Sequence, residues 1–269
     1  MRIPCYFINL SSAAARADHM EKEAQRLGLT LQRVEAIDGR LLSEEEIDLL
    51  HRPAAGMHRM SGPEVACFLS HREAWRQIVN ANMRFGAVFE DDLTFALDAR
   101  TLLNDDQWLP ADADILKIET TSRRALLLPP FCDVPGGRSA GILASAHLGA
   151  GGYILSRTMA ARLFEQTKTF GVPVDYLLFV PDRMIFPEVP RWQLFPAICV
   201  QQVRSGKKFL PQGAETSGLD AARQILKRSG WAKMRRELER PFVALLASLR
   251  ARYTAIRSGG KWLFIKYRA

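Results

Sequence analysis

Apolar positions recur along the chain in two alternating rhythms. Residues 6–10, apolar except for Asn9, read as a buried strand; Ser11 and Ser12 then offer helix caps, and a helix over 13–27 stops at Gly28. Residues 31–37 predict a second strand that closes on the turn dipeptide Asp38-Gly39, and Ser43-Glu-Glu-Glu opens a short acidic helix. Behind Ser61-Gly-Pro-Glu, the spacing of Val65, Phe68, Leu69, Trp75 and Ile78 predicts a helix with one buried face, running to about Asn82. Residues 86–89, Gly-Ala-Val-Phe, are wholly apolar, as in a strand covered on both faces. Residues 115–118 and 152–155 predict further strands, and 156–167 a helix capped by Ser156. Strands alternating with helices predict an α/β fold: an open, mostly parallel twisted sheet flanked by helices.

Composition changes the picture mainly through charge. At 269 residues, 48% apolar and 25% charged, the chain fits one large or two small globular domains, and no apolar run approaches the ~20 residues of a spanning helix. The start, Met-Arg-Ile-Pro-Cys-Tyr, reads as the first strand of a cytoplasmic protein. Cys5, Cys67, Cys132 and Cys199 form no C-x-x-C pair and are expected to be reduced thiols. The net charge of +8 is uneven: residues 204–269 carry 16 Lys and Arg against 4 Asp and Glu, whereas residues 1–203 carry 21 against 25. The chain is expected to divide near Arg204-Ser-Gly-Lys-Lys, into a domain over 1–205 and a basic, amphipathic helical tail over 206–269. In that tail Phe242, Leu245, Leu246, Leu249, Tyr253 and Ile256 recur at helical spacing among Arg250, Arg252 and Arg257. Such a tail suits an anionic membrane surface, placing the protein at the inner face of the cytoplasmic membrane, or packs on its own domain. A slightly acidic main body speaks against nucleic acid as a partner, although the basic tail alone is compatible with a nucleic-acid-binding protein.

The chemistry concentrates in Phe85-Gly-Ala-Val-Phe-Glu-Asp-Asp-Leu, where an apolar strand delivers Glu90, Asp91 and Asp92 to its carboxyl end. In α/β sheets ligands bind beyond that edge. Three adjacent acids repel one another, so a divalent cation is a natural partner, and carboxylate oxygens suit Mg²⁺ or Mn²⁺. A solvated acidic turn and a phosphoacceptor signalling domain present the same pattern.

Ile8-Asn-Leu with Arg16, Glu35-Ala-Ile-Asp-Gly, Gly62-Pro-Glu-Val-Ala-Cys-Phe-Leu-Ser-His-Arg-Glu-Ala-Trp, Val88-Phe-Glu-Asp-Asp and Gly151-Gly-Tyr-Ile-Leu-Ser follow in that order. Together they resemble glycosyltransferase family 25, the lipooligosaccharide sugar transferases, over about residues 3–203. The resemblance implies a GT-A type fold, a UDP-sugar donor and Mn²⁺- or Mg²⁺-assisted, inverting transfer of a hexose, commonly galactose, to a saccharide or lipid-linked saccharide acceptor. It lays the family's D-x-D element on Glu90-Asp91-Asp92, with Asp92 and Glu90 as metal ligands and Glu90 and Asp91 facing the donor. Asn9 and Leu10 fall where the nucleotide base is bound. Arg16 either meets phosphate or decorates its helix, and Asp38 either bonds ribose or uracil or serves an ordinary turn. Ser70, His71 and Arg72 sit in mid-helix: Arg72 is suited to fork to a diphosphate, and His71 either addresses the site or is a satisfied interior histidine. Asp175, in Pro173-Val-Asp, is the candidate general base or a helix cap, and Gly151 allows backbone to approach the ligand closely. The chain departs from many GT-A enzymes in having no histidine after His147, which leaves Gln201 or water to complete a metal shell. His19, His51 and His58 read as surface or loop residues.

Overall fold

The computed structural model of the protein describes residues 1–204 and 257–269. β1 (Cys5–Asn9) leads through α1 (Ala14–Leu27) to β2 (Leu31–Glu35), and α2 (Glu44–Leu50) and α3 (Gly62–Asn80) precede β3 (Phe85–Glu90). Then come β4 (Leu93–Phe95), α4 (Ala99–Leu103), β5 (Ile115–Lys117), β6 (Glu119–Thr120) and a hairpin of β7 (Arg124–Val134) and β8 (Arg138–Leu143). β9 (Gly152–Ser156), α5 (Arg157–Gln166), α6 (Val174–Phe179), β10 (Arg191–Phe195) and β11 (Cys199–Gln201) follow, and β12 (Lys261–Phe264) comes last.

Local signals set these boundaries. α1 stops because Gly28 turns left-handed at φ +59°, where a side chain would be strained. Ser43 and Glu46 cap α2 reciprocally, and the Ser156 hydroxyl accepts the Met159 N–H at the start of α5.

The main sheet has nine strands in the order β12-β7-β8-β10-β5-β9-β3-β1-β2. The α/β class is the expected one, and the strand directions are mixed. β2, β1 and β3 run parallel, as do β5 and β10, while β9 lies antiparallel between β3 and β5, and β8, β7 and β12 are antiparallel at the far side. An apolar run shows that a strand is buried and not which way it points. The β7–β8 hairpin escapes the sequence reading because the burial along β7 does not alternate.

Successive strand residues face opposite layers. Tyr6, Ile8, Val88, Ile115, Tyr153 and Leu155 pack with α2, α3, α5 and α6, whereas Cys5, Phe7, Ala87, Phe89, Leu116 and Ile154 pack with α1 and α4.

The C-terminal residues 261–264 form a strand where a helix was expected. The expected helical tail over 206–269 ends in β12, which pairs with β7 as the outermost strand of the main sheet. Ile265 is fully buried, its N–H donates to Arg123 O and its carbonyl accepts from Thr120 Oγ1, while Ala197 N–H donates to Lys266 O. Apolar and aromatic residues at 262–265 serve a strand as readily as a helix when the segment is this short. The amphipathic pattern over 242–256 lies outside the described residues.

Because Ile265 is part of this core, Ile265→Ala should lower unfolding free energy by about 2–5 kcal/mol in urea titrations. Trp262→Ala, at a position 38% exposed, should cost less than about 1 kcal/mol. Equal, negligible effects would mean that the C-terminus does not contribute to the fold.

Candidate active site

Because β1, β3 and β5 point the same way, Asn9, Glu90 and Lys117 reach one edge of the sheet, and β9 begins at that edge with Gly152. The segments that leave it build a second, three-stranded sheet, β4-β11-β6, continuing from β3, β10 and β5 respectively. The acidic run is thus held between two sheets.

Its members separate as strand residues do. Asp91 turns to one side, where its Oδ2 accepts a hydrogen bond from Asn9 Nδ2 at 2.6 Å and its Oδ1 lies 3.0 Å from Arg16 Nη1. Glu90 turns to the other: Oε1 is 3.8 Å from His71 Nε2, and Oε2 accepts from Gln201 Nε2 at 3.3 Å. Asp92 sends its carbonyl to Gln202 N–H, while its Oδ1 is buried without a hydrogen-bond partner.

Two charged residues that sequence reasoning missed complete the cluster. Glu119 is fully buried; its Oε1 accepts from Lys117 Nζ and from Gly151 N–H, each at 2.9 Å, and its Oε2 has no partner. Lys117, equally buried, also donates to the carbonyls of Leu148 and Gly149 and sits over the Phe179 ring. A Lys and a Glu two apart in the otherwise apolar Ile115-Leu-Lys-Ile-Glu stretch share one face, and that pairing was the signal available. A Cβ on Gly151 would stand 2.6 Å from Glu119 Oε2 and 3.4 Å from Glu90 Oε2, so a side chain there would displace the Glu119 carboxylate. Asp175, in the first turn of α6, accepts from Gly149 N–H at 3.2 Å. Its charge is felt by both Glu90 and His71.

Burial pushes the Glu90 carboxyl well above its ordinary range, and the charges of Glu119, Asp91 and Asp175 push it further. Asp92 rises for the same reason, first by burial and then through Glu90, Asp91 and Glu119, with Arg16 opposing. Asp91 rises by burial against the lowering effect of Arg16 and Asn9. His71 is drawn down to about 4 by burial, so its ring is neutral at pH 7. Its Nδ1 lies 2.8 Å from Tyr153 Oη, which accepts the Trp75 Nε1–H at 2.9 Å.

Of the residues anticipated from sequence, Asn9, Arg16, His71, Glu90, Asp91, Asp92, Gly151 and Asp175 come together. Arg72 and Ser70 are turned elsewhere, and the contacts of Asp38 and Leu10 are local ones. Arg72 turns toward α5, donating to Thr167 Oγ1 and Phe164 O over the Phe164 ring, because it follows His71 by one position and so leaves the site face of α3. Ser70 ties α3 to the loop after β2, accepting Ile37 N–H and donating to Ala66 O. Asp38 accepts from Arg40 N–H and its guanidinium, which hold its carboxyl down at about 2, as in an ordinary turn. Leu10 is half-buried and contributes its carbonyl to Ala13 N–H. His51, expected at the surface or in a loop, directly follows α2 and is buried between Phe170 O and Met60 N–H.

Residues 2–178 match the family model for glycosyltransferase family 25 (LPS biosynthesis protein). The chain belongs to glycosyltransferase family 25. It is 32% identical to the lacto-N-neotetraose biosynthesis glycosyltransferase LgtB of Neisseria gonorrhoeae, over 84% of each chain. It is 31% identical to LgtE of Neisseria meningitidis serogroup B, over 83% of this chain and 82% of that one. The lipooligosaccharide biosynthesis protein lex-1 of Haemophilus influenzae is 32% identical over 60% of this chain and 55% of its own. The described site of this glycosyltransferase lies almost wholly within the matched residues, with Gln201 and Gln202 beyond them.

The raised carboxyls make a stability prediction for the metal-free enzyme. Glu90 and Asp92 bind protons more tightly folded than unfolded, so stability falls as pH rises from the ordinary carboxylate pKa of about 4 toward their raised values. In chelator at pH 8, Asp92→Asn should raise Tm by about 2–4 °C for each kcal/mol of repulsion removed. Below pH 4 the gain should vanish in scanning calorimetry. A gain independent of pH would show that ionised Asp92 is not under strain.

Proposed function

We propose that this glycosyltransferase moves a hexose, galactose, from UDP to a saccharide acceptor of lipooligosaccharide, with Mn²⁺ or Mg²⁺ and with inversion at the anomeric carbon. One observation carries the reading: acids converge at the carboxyl edge of the sheet, and two of their buried oxygens, Asp92 Oδ1 and Glu119 Oε2, are unpartnered. Oxygen donors of this kind fit a hard divalent cation. Asp92 and Glu90 would hold it, and the bound cation would stabilise charge on the departing diphosphate. Arg16, 40% exposed beside Asp91, is suited to reach a phosphate oxygen, and Asn9 at the end of β1 to orient the nucleotide. Gly149 N–H orients the Asp175 carboxylate, which takes the proton of the acceptor hydroxyl as its oxygen bonds to the sugar carbon and the bond to UDP breaks. The relatives named for lacto-N-neotetraose and lipooligosaccharide biosynthesis support the acceptor class.

Calorimetric titration of UDP should give binding with Mn²⁺ that excess chelator abolishes and that Asp92→Ala lowers at least tenfold; metal-independent binding of equal strength would overturn the cation assignment. Asp175→Asn should cut kcat by about 10²–10⁴ while leaving UDP affinity within twofold. Loss of both together would give Asp175 a structural or donor-binding role instead.

The reading extends to a membrane-borne acceptor. No helix among the described residues is long and apolar enough to cross a membrane. Residues 204–269 carry the basic excess, and Trp262 and Phe264 are exposed on the outermost strand, a combination suited to an anionic lipid surface. Full-length protein should float with vesicles containing phosphatidylglycerol and not with neutral ones, and Trp262→Ala with Phe264→Ala should weaken flotation. Indifference to lipid charge would refute the contact.

A further inference from the structure

Cys67 and His71, four residues apart on α3, share one helix face, and Glu90 at the end of β3 stands opposite them. Cys67 Sγ, a ring nitrogen of His71 and a carboxylate oxygen of Glu90 all lie within 4.8 Å of one another. His71 is only 1% exposed, and its Nε2 has no hydrogen-bond partner although it points toward Glu90 Oε1 at 3.8 Å. Its other nitrogen is held by Tyr153 Oη, itself fixed by Trp75. A metal-binding histidine is oriented in this way, with one nitrogen anchored by a neighbour and the other left for the ion. Tetrahedral bonds of about 2.0–2.3 Å put ligand atoms roughly 3.3–3.8 Å apart, so the His71–Glu90 spacing already suits a cation and the thiol needs only a small shift.

We propose that Cys67, His71 and Glu90 form a second cation site of different chemistry, selective for Zn²⁺-class ions over Mg²⁺ and Mn²⁺. The thiol sets the selectivity: a thiolate and an imidazole favour a borderline-soft ion, whereas the oxygens around Asp92 favour a hard one. Binding displaces the Cys67 proton to solvent and leaves water in the fourth position. The two sites share Glu90, so an ion on Cys67 and His71 withdraws that carboxylate from the donor cation and inhibits transfer. The inhibition rests on the proposed transferase reading; the site itself does not.

The test is titration of the metal-free full chain with Co²⁺, which reports thiolate ligation through a near-ultraviolet charge-transfer band. One equivalent should develop the band, one equivalent of Zn²⁺ should bleach it, and a hundredfold excess of Mg²⁺ should leave it. Cys67→Ser should abolish the band while Cys132→Ser keeps it. No band, or one that survives Cys67→Ser, would overturn the site. If transfer is observed, Zn²⁺ should inhibit the native enzyme at least tenfold more strongly than Cys67→Ser. Equal inhibition of both would overturn the shared use of Glu90 while leaving the spectroscopic result standing.

Discussion

Repulsion among carboxylates that the fold cannot separate is the constraint on which this site depends. Glu90, Asp92 and Glu119 are carried to one place by β3, by the residues directly after it and by the β5–β6 continuation. Burial and mutual charge then raise the Glu90 and Asp92 carboxyls together. Lys117 offsets part of this charge from inside the protein, but its ammonium is committed to Glu119 and two backbone carbonyls. Breaking that buried pair would strand a charge in a dry interior, at a cost several times that of a surface ion pair. The interior cation therefore fixes the geometry and does not discharge the edge.

The backbone around the cluster follows from that constraint. The 147–151 segment passes so close to Glu119 and Glu90 that a side chain at Gly151 would displace the Glu119 carboxylate, and the Gly151 N–H donates to Glu119. Gly149 gives its N–H to Asp175 and its carbonyl to Lys117, linking α6 to the same cluster. His147 is tied to Gln193, whose amide donates to Glu119 O, so a polar network braces the backbone of the acids. These contacts leave the carboxylates little freedom to relax apart.

Much of this was legible in the sequence, for reasons that differ by residue. The apolar run ending in Glu90-Asp91-Asp92 announced both a buried strand and its chemical end, and Gly28, Ser43 and Ser156 marked helix ends through local hydrogen bonds. Strand direction was not legible, because β9 enters from the acidic edge only as a consequence of where the preceding loop lies. Nor was the side to which a helical residue points: Arg72 and His71 are neighbours, yet one braces α5 and the other faces Glu90. β12 was hidden for a third reason, since its partner β7 lies more than a hundred residues earlier. Long-range pairing is the part of the fold that a local pattern cannot hold.

The alternation of a strand does chemical work at Glu90, Asp91 and Asp92. Asp91 is satisfied on one side by Asn9 and Arg16, whose guanidinium stays partly exposed. Glu90 is directed to the opposite side, toward His71 and Gln201, and Asp92 is left with a buried oxygen that nothing in the described structure bonds. Three consecutive acids thus acquire three environments without any difference in side-chain type beyond one methylene. On the proposed reading, a cation held by Asp92 and Glu90 and the partly exposed Arg16 would both offer positive charge to a diphosphate. The energy stored in the metal-free cluster would then be released on binding the cation, which couples occupancy of the donor site to the stability of the sheet edge itself.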